Sequence, residues 1–97
     1  VPLDSEGNLV GNTIEEQTQQ VFKNIENILK EYGGTGKDII KLVIYTTDIK
    51  KTPDFRKVRD LYVNLQNPPV SSLVEVSKLF RDDVLIEVEA TAVIKNK

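Results

Sequence analysis

The sequence has 97 residues and a formal net charge of −2, and it contains no Cys, His, Trp or Met. A chain of this length supports one small domain, so we predict a single domain over residues 1–97. The absence of Cys and His excludes disulfides, thiolate nucleophiles, the usual zinc sites and histidine general bases. Any chemistry must therefore use carboxylates, hydroxyls, Tyr, Lys, Arg, backbone groups or bound water.

The sequence shows no apolar run of about eighteen residues and no signal-peptide pattern, which predicts a cytoplasmic protein with no membrane partner. Because it lacks Met, we expect that translation does not begin at Val1. The near-balanced charge argues against a nucleic-acid partner, since phosphate neutralisation needs a concentrated Lys and Arg surface.

The N-terminal segment is predicted to be the end of a strand, residues 1–3, followed by a turn that contains Gly7-Asn8. The first helix is predicted to begin at a capping box, in which the Thr13 side chain accepts from the third helical residue and Glu16 reaches back. Apolar residues then recur at helical spacing until Gly33-Gly34 ends the helix. This pattern predicts a helix that covers a core.

A strand rich in β-branched residues is predicted from Ile39 to Thr47. Its alternation predicts that one face carries Ile40, Leu42 and Ile44 and the other Lys41, Val43 and Tyr45. Apolar residues on both faces indicate a central strand, or a strand whose outer face a partner covers.

A second helix is predicted to begin with Thr52 as N-cap and Pro53 at the first position. Its apolar stripe extends to Leu65, and Asn67-Pro68-Pro69 ends it because residues before proline avoid the α region. We therefore predict a helix of several turns between the two strand regions.

The last third of the chain predicts two strands, Ser71 to Val76 and Val84 to Ile94. The charged segment between them, residues 78–83, predicts a turn, and hence an antiparallel pair. In the second strand, the core face is predicted to carry Ile86, Val88, Ala90, Ala92 and Ile94. Glu87 lies on the opposite face, where something other than the core of this chain must contact it.

These elements predict an α+β fold, with two helices on one face of a mixed, largely antiparallel sheet. The outer face of the sheet is too mixed for a core and too apolar for a plain solvated surface. Burial against identical sheets in a closed cyclic oligomer fits this composition. A solvated outer face is the alternative. The residues predicted on this face are Lys41, Val43, Tyr45, Glu87, Glu89, Thr91 and Val93.

Several segments together resemble the RidA family, also called YjgF or the reactive-intermediate deaminases. These segments are IEEQT at residues 14–18 with Asn24-Ile25, DIIK and VIYTTD within residues 38–48, Asp54-Phe55 with Tyr62, and SLVEV at residues 72–76 with IEVEA at residues 86–90. The similarity extends over nearly the whole chain, and its last block is the most specific.

The resemblance implies a chorismate-mutase-like fold that assembles as a homotrimer, with small molecules bound in clefts between subunits. Many members hydrolyse enamines or imines that pyridoxal-phosphate enzymes form, without a metal or cofactor of their own. In that mechanism an Arg holds the substrate carboxylate, backbone amides assist it, and a Glu positions the attacking water. The position of that Glu corresponds to Glu87.

This sequence departs from the family pattern at several places. Ser71 stands where the carboxylate-binding Arg belongs, and a hydroxyl cannot replace a guanidinium fork. Arg59 replaces an Asn of the helix, the segment from Tyr62 to Pro69 is several residues short, and the N-terminal hairpin of the family is absent. We predict Glu87 as the catalytic residue and Arg59, Ser71 and Leu73 as substrate-binding residues, with Arg59 supplying the charge that Ser71 lacks.

Two functions of different classes follow from these residues. The first is a trimeric imine or enamine deaminase that acts on a small carboxylate through Glu87 and a water molecule. The second is a non-catalytic metabolite-binding or regulatory trimer, which the loss of the strand Arg favours. The alternative for the single residues is that Glu87 is a solvated or ion-paired residue and Arg59 a solvated charge. A third function, RNA-directed inhibition or cleavage, ranks last because the chain has no His and no basic stripe.

Overall fold

The computed structural model describes residues 1–95. Its regular elements are α1 (Ile14–Glu31), β1 (Ile39–Thr46), α2 (Thr52–Arg59), β2 (Val70–Glu75) and β3 (Ile86–Ala92). Short 3₁₀ turns at Gly36–Asp38 and Ile49–Lys51 precede β1 and α2. The segment before α1 forms a single antiparallel bridge, between Leu3 and Leu9. Within the described residues, no helix has the length and apolar character needed to cross a membrane.

The three strands form one mixed sheet in the order β2-β1-β3. β1 is the central strand, parallel to β2 and antiparallel to β3. The two helices pack on one face, and the predicted α+β architecture with a mixed sheet is confirmed. The buried core between these layers includes Phe22, Ile39, Leu42, Ile44, Phe55 and Ile86.

The predicted antiparallel pair between the last two strands is wrong, because β1 lies between them. The connection from β2 to β3 passes the end of β1 and is held there by the fully buried Gln17 of α1. The Gln17 amide nitrogen donates to the carbonyl of Asp83 at 2.8 Å, and its amide oxygen accepts from the backbone of Leu85 at 2.7 Å. These long-range bonds, which a local turn pattern cannot show, direct β3 to the far edge of the sheet.

The predicted start of α1 is confirmed. The Thr13 hydroxyl accepts from the backbone N–H of Glu16 at 3.2 Å, and the Glu16 carboxylate accepts from the backbone of Asn12 at 3.3 Å. At the other end, Gly33 adopts a φ of 80°, a left-handed conformation that glycine reaches without strain.

The second helix is shorter than predicted, since α2 ends at Arg59. The chain turns after Arg59, so that the Tyr62 ring stacks on Phe22 of α1 with 5.2 Å between ring centroids. Leu65, to which the predicted apolar stripe extends, is exposed, and so is Leu61. The start also differs: the N-cap is Lys51, which makes no side-chain capping bond.

One residue of β1 departs from the predicted alternation. The pairing of β1 with β3 shifts register between Ile39 and Lys41, which places an extra residue, Ile40, in the strand. Ile39 is therefore 2% exposed and Ile40 is 51% exposed, the reverse of the predicted faces. Beyond this bulge Leu42 and Ile44 are buried as predicted.

Candidate functional site

A cavity of about 100 Å³ lies between helix α2 and strand β2. Three of the four predicted site residues, Arg59, Ser71 and Leu73, line it together. The remaining lining residues are Ile44, Thr52, Phe55 and Arg56.

The parallel pairing of β1 and β2 explains why the strand residues reach this cavity. Ser71 lies opposite Leu42, and Leu73 lies opposite Ile44. Because paired residues project to the same face of a sheet, both strand residues share the face that α2 covers. On the helix, positions 52, 56 and 59 share one side because they are four and three residues apart.

Arg59 is held in a defined position beside the cavity. Its Nε and Nη2 groups both donate to the Asp60 carboxylate, at 3.1 Å and 2.9 Å. The guanidinium carbon lies 6.0 Å from the centroid of the Phe55 ring, within the range of a cation–π contact. Only 22% of the Arg59 side chain is exposed. This guanidinium is therefore oriented and partly desolvated.

Arg56 and Thr52 complete the polar lining, and the sequence analysis missed both. Arg56 is exposed, and among residues 1–95 it forms no salt bridge. The Thr52 hydroxyl donates to the carbonyl of Ile49 at 2.5 Å. The sequence does contain a signal for both residues. Thr52 and Arg56 lie at helical spacing from Arg59, so they are expected on the same side of α2 as Arg59.

The Ser71 hydroxyl can donate a hydrogen bond to a ligand. It donates one long hydrogen bond, to the carbonyl of Pro69 at 3.5 Å, which a ligand carboxylate can replace. The cavity thus combines two guanidinium groups and a weakly bonded hydroxyl with an apolar wall formed by Ile44, Phe55 and Leu73. This arrangement suits a carboxylate that carries a small apolar substituent.

Glu87, the predicted catalytic residue, lies on the other face of the sheet. It pairs with Tyr45 of β1, and Tyr45 pairs in turn with Val74 of β2. Its neighbours in β3, Ile86 and Val88, are buried on the core face. Glu87 is half-buried on the outer face, so a single chain does not bring it to the cavity.

A second and larger concavity, of about 650 Å³, lies between α1 and β3. Among residues 1–95, no charged side chain lines this groove. Its lining residues are Ile25, Ile28, Leu29, Tyr32, Ala90, Ala92 and Ile94. Despite its size the groove offers no acid, base or cation for chemistry, and it is not our candidate site.

The residues described by the structure contain no group of three or more carboxylates that could hold a metal ion. Burial raises the pKa of Tyr62, and the negative charge of Glu26 raises it further. Tyr62 does not line the α2–β2 cavity, so this perturbed phenol belongs to the packing of α1 and α2.

Comparison with known proteins identifies the family. A family model described as endoribonuclease L-PSP matches residues 1–94. A RutC family protein of Pyrococcus abyssi is 40% identical over 95 residues, which cover 95% of this chain and 72% of that protein. The chain belongs to the RidA/YjgF family.

Solved structures agree with RidA/YjgF membership. A Yersinia pestis protein described as a member of the conserved Rid family superposes with a TM-score of 0.86 at 36% identity, covering 96% of this chain and 74% of that one. A YjgF family member of Neisseria meningitidis gives a TM-score of 0.83 at 30% identity, with 90% and 72% covered. RidA/YjgF membership explains the fold. The function must be argued from the residues of the site.

Proposed function

We propose that this RidA/YjgF protein is a homotrimer that binds a small carboxylate in a cleft between subunits and hydrolyses an imine or enamine. The observation that supports this function best is that Arg59, Ser71 and Leu73 line one cavity. Arg59 comes from α2, and Ser71 and Leu73 come from β2. Together they provide a cation, a hydroxyl and an apolar wall.

In this proposal the cation that binds the carboxylate comes from helix α2 instead of strand β2. Ser71 contributes only a hydroxyl at the strand position. Arg59 reaches the same cavity from the helix, and its contact with Phe55 favours the orientation needed for recognition. The cavity therefore retains a guanidinium although the strand lacks one.

A second copy of the chain is needed to complete the site. The cavity of about 100 Å³ is below the range of about 300–1,000 Å³ that buries most small ligands. Glu87 lies on the opposite face of the same sheet, so its carboxylate can act at a cavity only when that cavity belongs to another subunit. The outer face is also apolar enough to be covered, since it carries Val43, Tyr45 and Val74.

The proposed reaction is the addition of water across a C=N bond. Glu87 accepts a proton from the attacking water, whose oxygen bonds to the imine carbon and gives a carbinolamine. Glu87 returns this proton to the nitrogen as the carbinolamine forms. The carbinolamine hydroxyl then gives its proton to the nitrogen through Glu87, the C–N bond breaks as the C=O bond forms, and ammonia and a 2-oxo acid are released. An enamine substrate first takes up a proton at carbon to become the imine.

A non-catalytic binding trimer is the second candidate, and one observation favours it. Within a chain, the Glu87 carboxylate and the Arg59 guanidinium lie on opposite faces of the sheet. The cavity could therefore bind a metabolite without help from Glu87. Cleavage of RNA is not proposed, because the chain has no His to exchange protons in such a reaction and its net charge is −2.

The experiment that separates the two candidates is ammonia release from freshly generated 2-iminopropionate or 2-iminobutyrate. We expect acceleration by the protein and a loss of about 100-fold or more in Glu87→Gln, because general-base catalysis contributes about 10²–10⁴-fold. Glu89→Gln is the matched control, since Glu89 lies on the same face of β3 two residues away and is exposed.

We expect the Glu89→Gln variant to keep its rate within a factor of about two, because the amide keeps the shape of the side chain in the proposed subunit contact and Glu89 takes no part in the proton transfer. No acceleration by the folded, assembled protein would remove the deaminase and leave the binding trimer. Equal losses in both variants would show that Glu87 has no special role.

A further inference from the structure

We infer that Arg56 provides the guanidinium fork that binds the ligand carboxylate, while Arg59, whose own fork is held by Asp60, adds its positive charge beside the cavity. This inference rests on the proposed carboxylate site but not on catalysis. Arg56 lines the same cavity as Arg59 and Ser71, and no feature of the sequence had singled it out.

The first argument concerns which guanidinium edge is free. A carboxylate is bound best by two parallel N–H groups on one edge of a guanidinium. In Arg59 the Nε–Nη2 edge already donates twice to Asp60. A ligand that used this edge would have to displace Asp60, which is part of the protein and always present.

The second argument concerns the free charge of Arg56. Among residues 1–95, Arg56 has no salt-bridge partner, while its neighbour Lys57 pairs with Glu15 at 3.7 Å. Arg56 and Arg59 are three residues apart on one helix, a spacing at which like charges repel. An anion between them would relieve this repulsion, and Asp60 neutralises only Arg59.

The third argument concerns the other donors around the cavity. The Thr52 hydroxyl already donates to Ile49, so its proton is not available to a ligand. The Ser71 hydroxyl donates only a long bond of 3.5 Å, to the carbonyl of Pro69, and a charged carboxylate would be a stronger acceptor. A carboxylate can thus receive two N–H bonds from Arg56 and one O–H bond from Ser71. The volume of about 100 Å³ restricts the enclosed part of the ligand to a carboxylate and a short chain.

The test measures binding of pyruvate, a stable small carboxylate, to the purified assembled protein by calorimetry or NMR titration. We expect Arg56→Gln to weaken binding by about tenfold or more, the effect of losing a charge-assisted bidentate contact. Arg59→Gln should weaken binding less, and Lys57→Gln, the matched control on another side of α2, should change it less than about twofold.

Arg56→Lys separates a fork from a point charge, because lysine keeps the charge but loses the paired N–H geometry. An affinity between those of the wild type and Arg56→Gln supports the inference. A larger loss in Arg59→Gln than in Arg56→Gln, an Arg56→Gln result equal to that of Lys57→Gln, or no binding of pyruvate by the wild type would overturn it.

The two proposals fail separately. A protein that binds pyruvate through Arg56 but releases no ammonia from 2-iminopropionate would support this inference and remove the deaminase. A protein that releases ammonia while Arg56→Gln binds pyruvate as well as the wild type would support the deaminase and overturn this inference.

Discussion

The α2–β2 cavity and the α1–β3 groove occupy opposite edges of the same three-stranded sheet. Each is formed where a helix covers an edge strand, and the groove is several times larger, about 650 Å³ against about 100 Å³. Among the described residues, the cavity lining includes two guanidinium groups, whereas the groove lining includes no charged side chain and only Tyr32 as a polar residue. The comparison shows that the chemistry of the lining, and not the volume, distinguishes a candidate binding site.

The physical cause of the difference lies in the strands. On its helix-facing side β2 presents Ser71 and Leu73, whereas β3 ends with Ala90 and Ala92. These small apolar residues allow α1 and β3 to pack closely. They provide no ion-pair or hydrogen-bond partner for a charged ligand. In the cavity, a serine and two arginines lie beside apolar side chains. A carboxylate that binds there loses its hydrogen bonds to water and gains hydrogen bonds from charged donors.

The largest effect should come from a change on the outer face of the sheet. We expect that contacts between subunits through this face complete the cavity but not the groove. Val43→Lys places a charge at the centre of the proposed subunit contact, where an unpaired buried charge costs several kcal/mol. We expect a monomer by light scattering, with pyruvate affinity reduced by at least about tenfold. Ser77→Lys adds the same charge in the exposed β2–β3 connection and should leave the assembly intact. An assembled Val43→Lys protein would contradict the proposed contact.

A leucine in each region allows a direct comparison of stability and binding. Leu29, in the groove, is 9% exposed, and Leu29→Ala should lower the free energy of unfolding by about 2–4 kcal/mol in urea titrations without changing pyruvate affinity. Leu73 is only half-buried, so Leu73→Ala should cost about 1 kcal/mol but weaken pyruvate binding. Equal effects of the two variants on binding would remove the functional distinction between the regions.

Adding a guanidinium to each region is the third test. Ser71→Arg restores an arginine to the strand beside Arg56 and Arg59, and we expect pyruvate affinity to rise by about tenfold through a further charged donor. Ala90→Arg adds the same group to the groove and should leave the affinity unchanged. A gain in Ala90→Arg, or none in Ser71→Arg, would show that the cavity is not where the carboxylate binds.

The smallest effect concerns Tyr62, whose ring stacks on Phe22 of α1 just after the end of α2. Tyr62 lines neither the α2–β2 cavity nor the α1–β3 groove. Burial and the charge of Glu26 raise the pKa of Tyr62 above its ordinary value of about 10. Above about pH 10 the unfolded chain therefore loses this proton before the folded protein does, and the free energy of unfolding falls as the pH rises.

This pH dependence can be assigned to Tyr62 by comparison with Tyr62→Phe, in urea titrations from pH 8 to 11. The variant should show a shallower fall above about pH 10, and Tyr32→Phe, which changes an exposed tyrosine, should behave as the wild type. Identical slopes in the wild type and Tyr62→Phe would refute the assignment.

Local patterns were sufficient for much of the fold. The helix start at Thr13, the burial of Ile86 and Val88 on one face of β3 and the placement of Glu87 away from the core are confirmed, because each depends on a short period of side-chain direction. Ala90, predicted on the core face, is exposed instead. Arg59, Ser71 and Leu73 were also named from the sequence, through the family resemblance, and the fold brings them together.

Tertiary structure decided what these local patterns left open. The position of β1 between β2 and β3 depends on long-range bonds of Gln17, and the early end of α2 depends on the stacking of Tyr62 against Phe22. The bulge at Ile40 arises from the register with β3, and the role of Arg56 depends on the cavity that α2 and β2 form. Each of these features involves residues distant in the sequence, so no short segment encodes it alone.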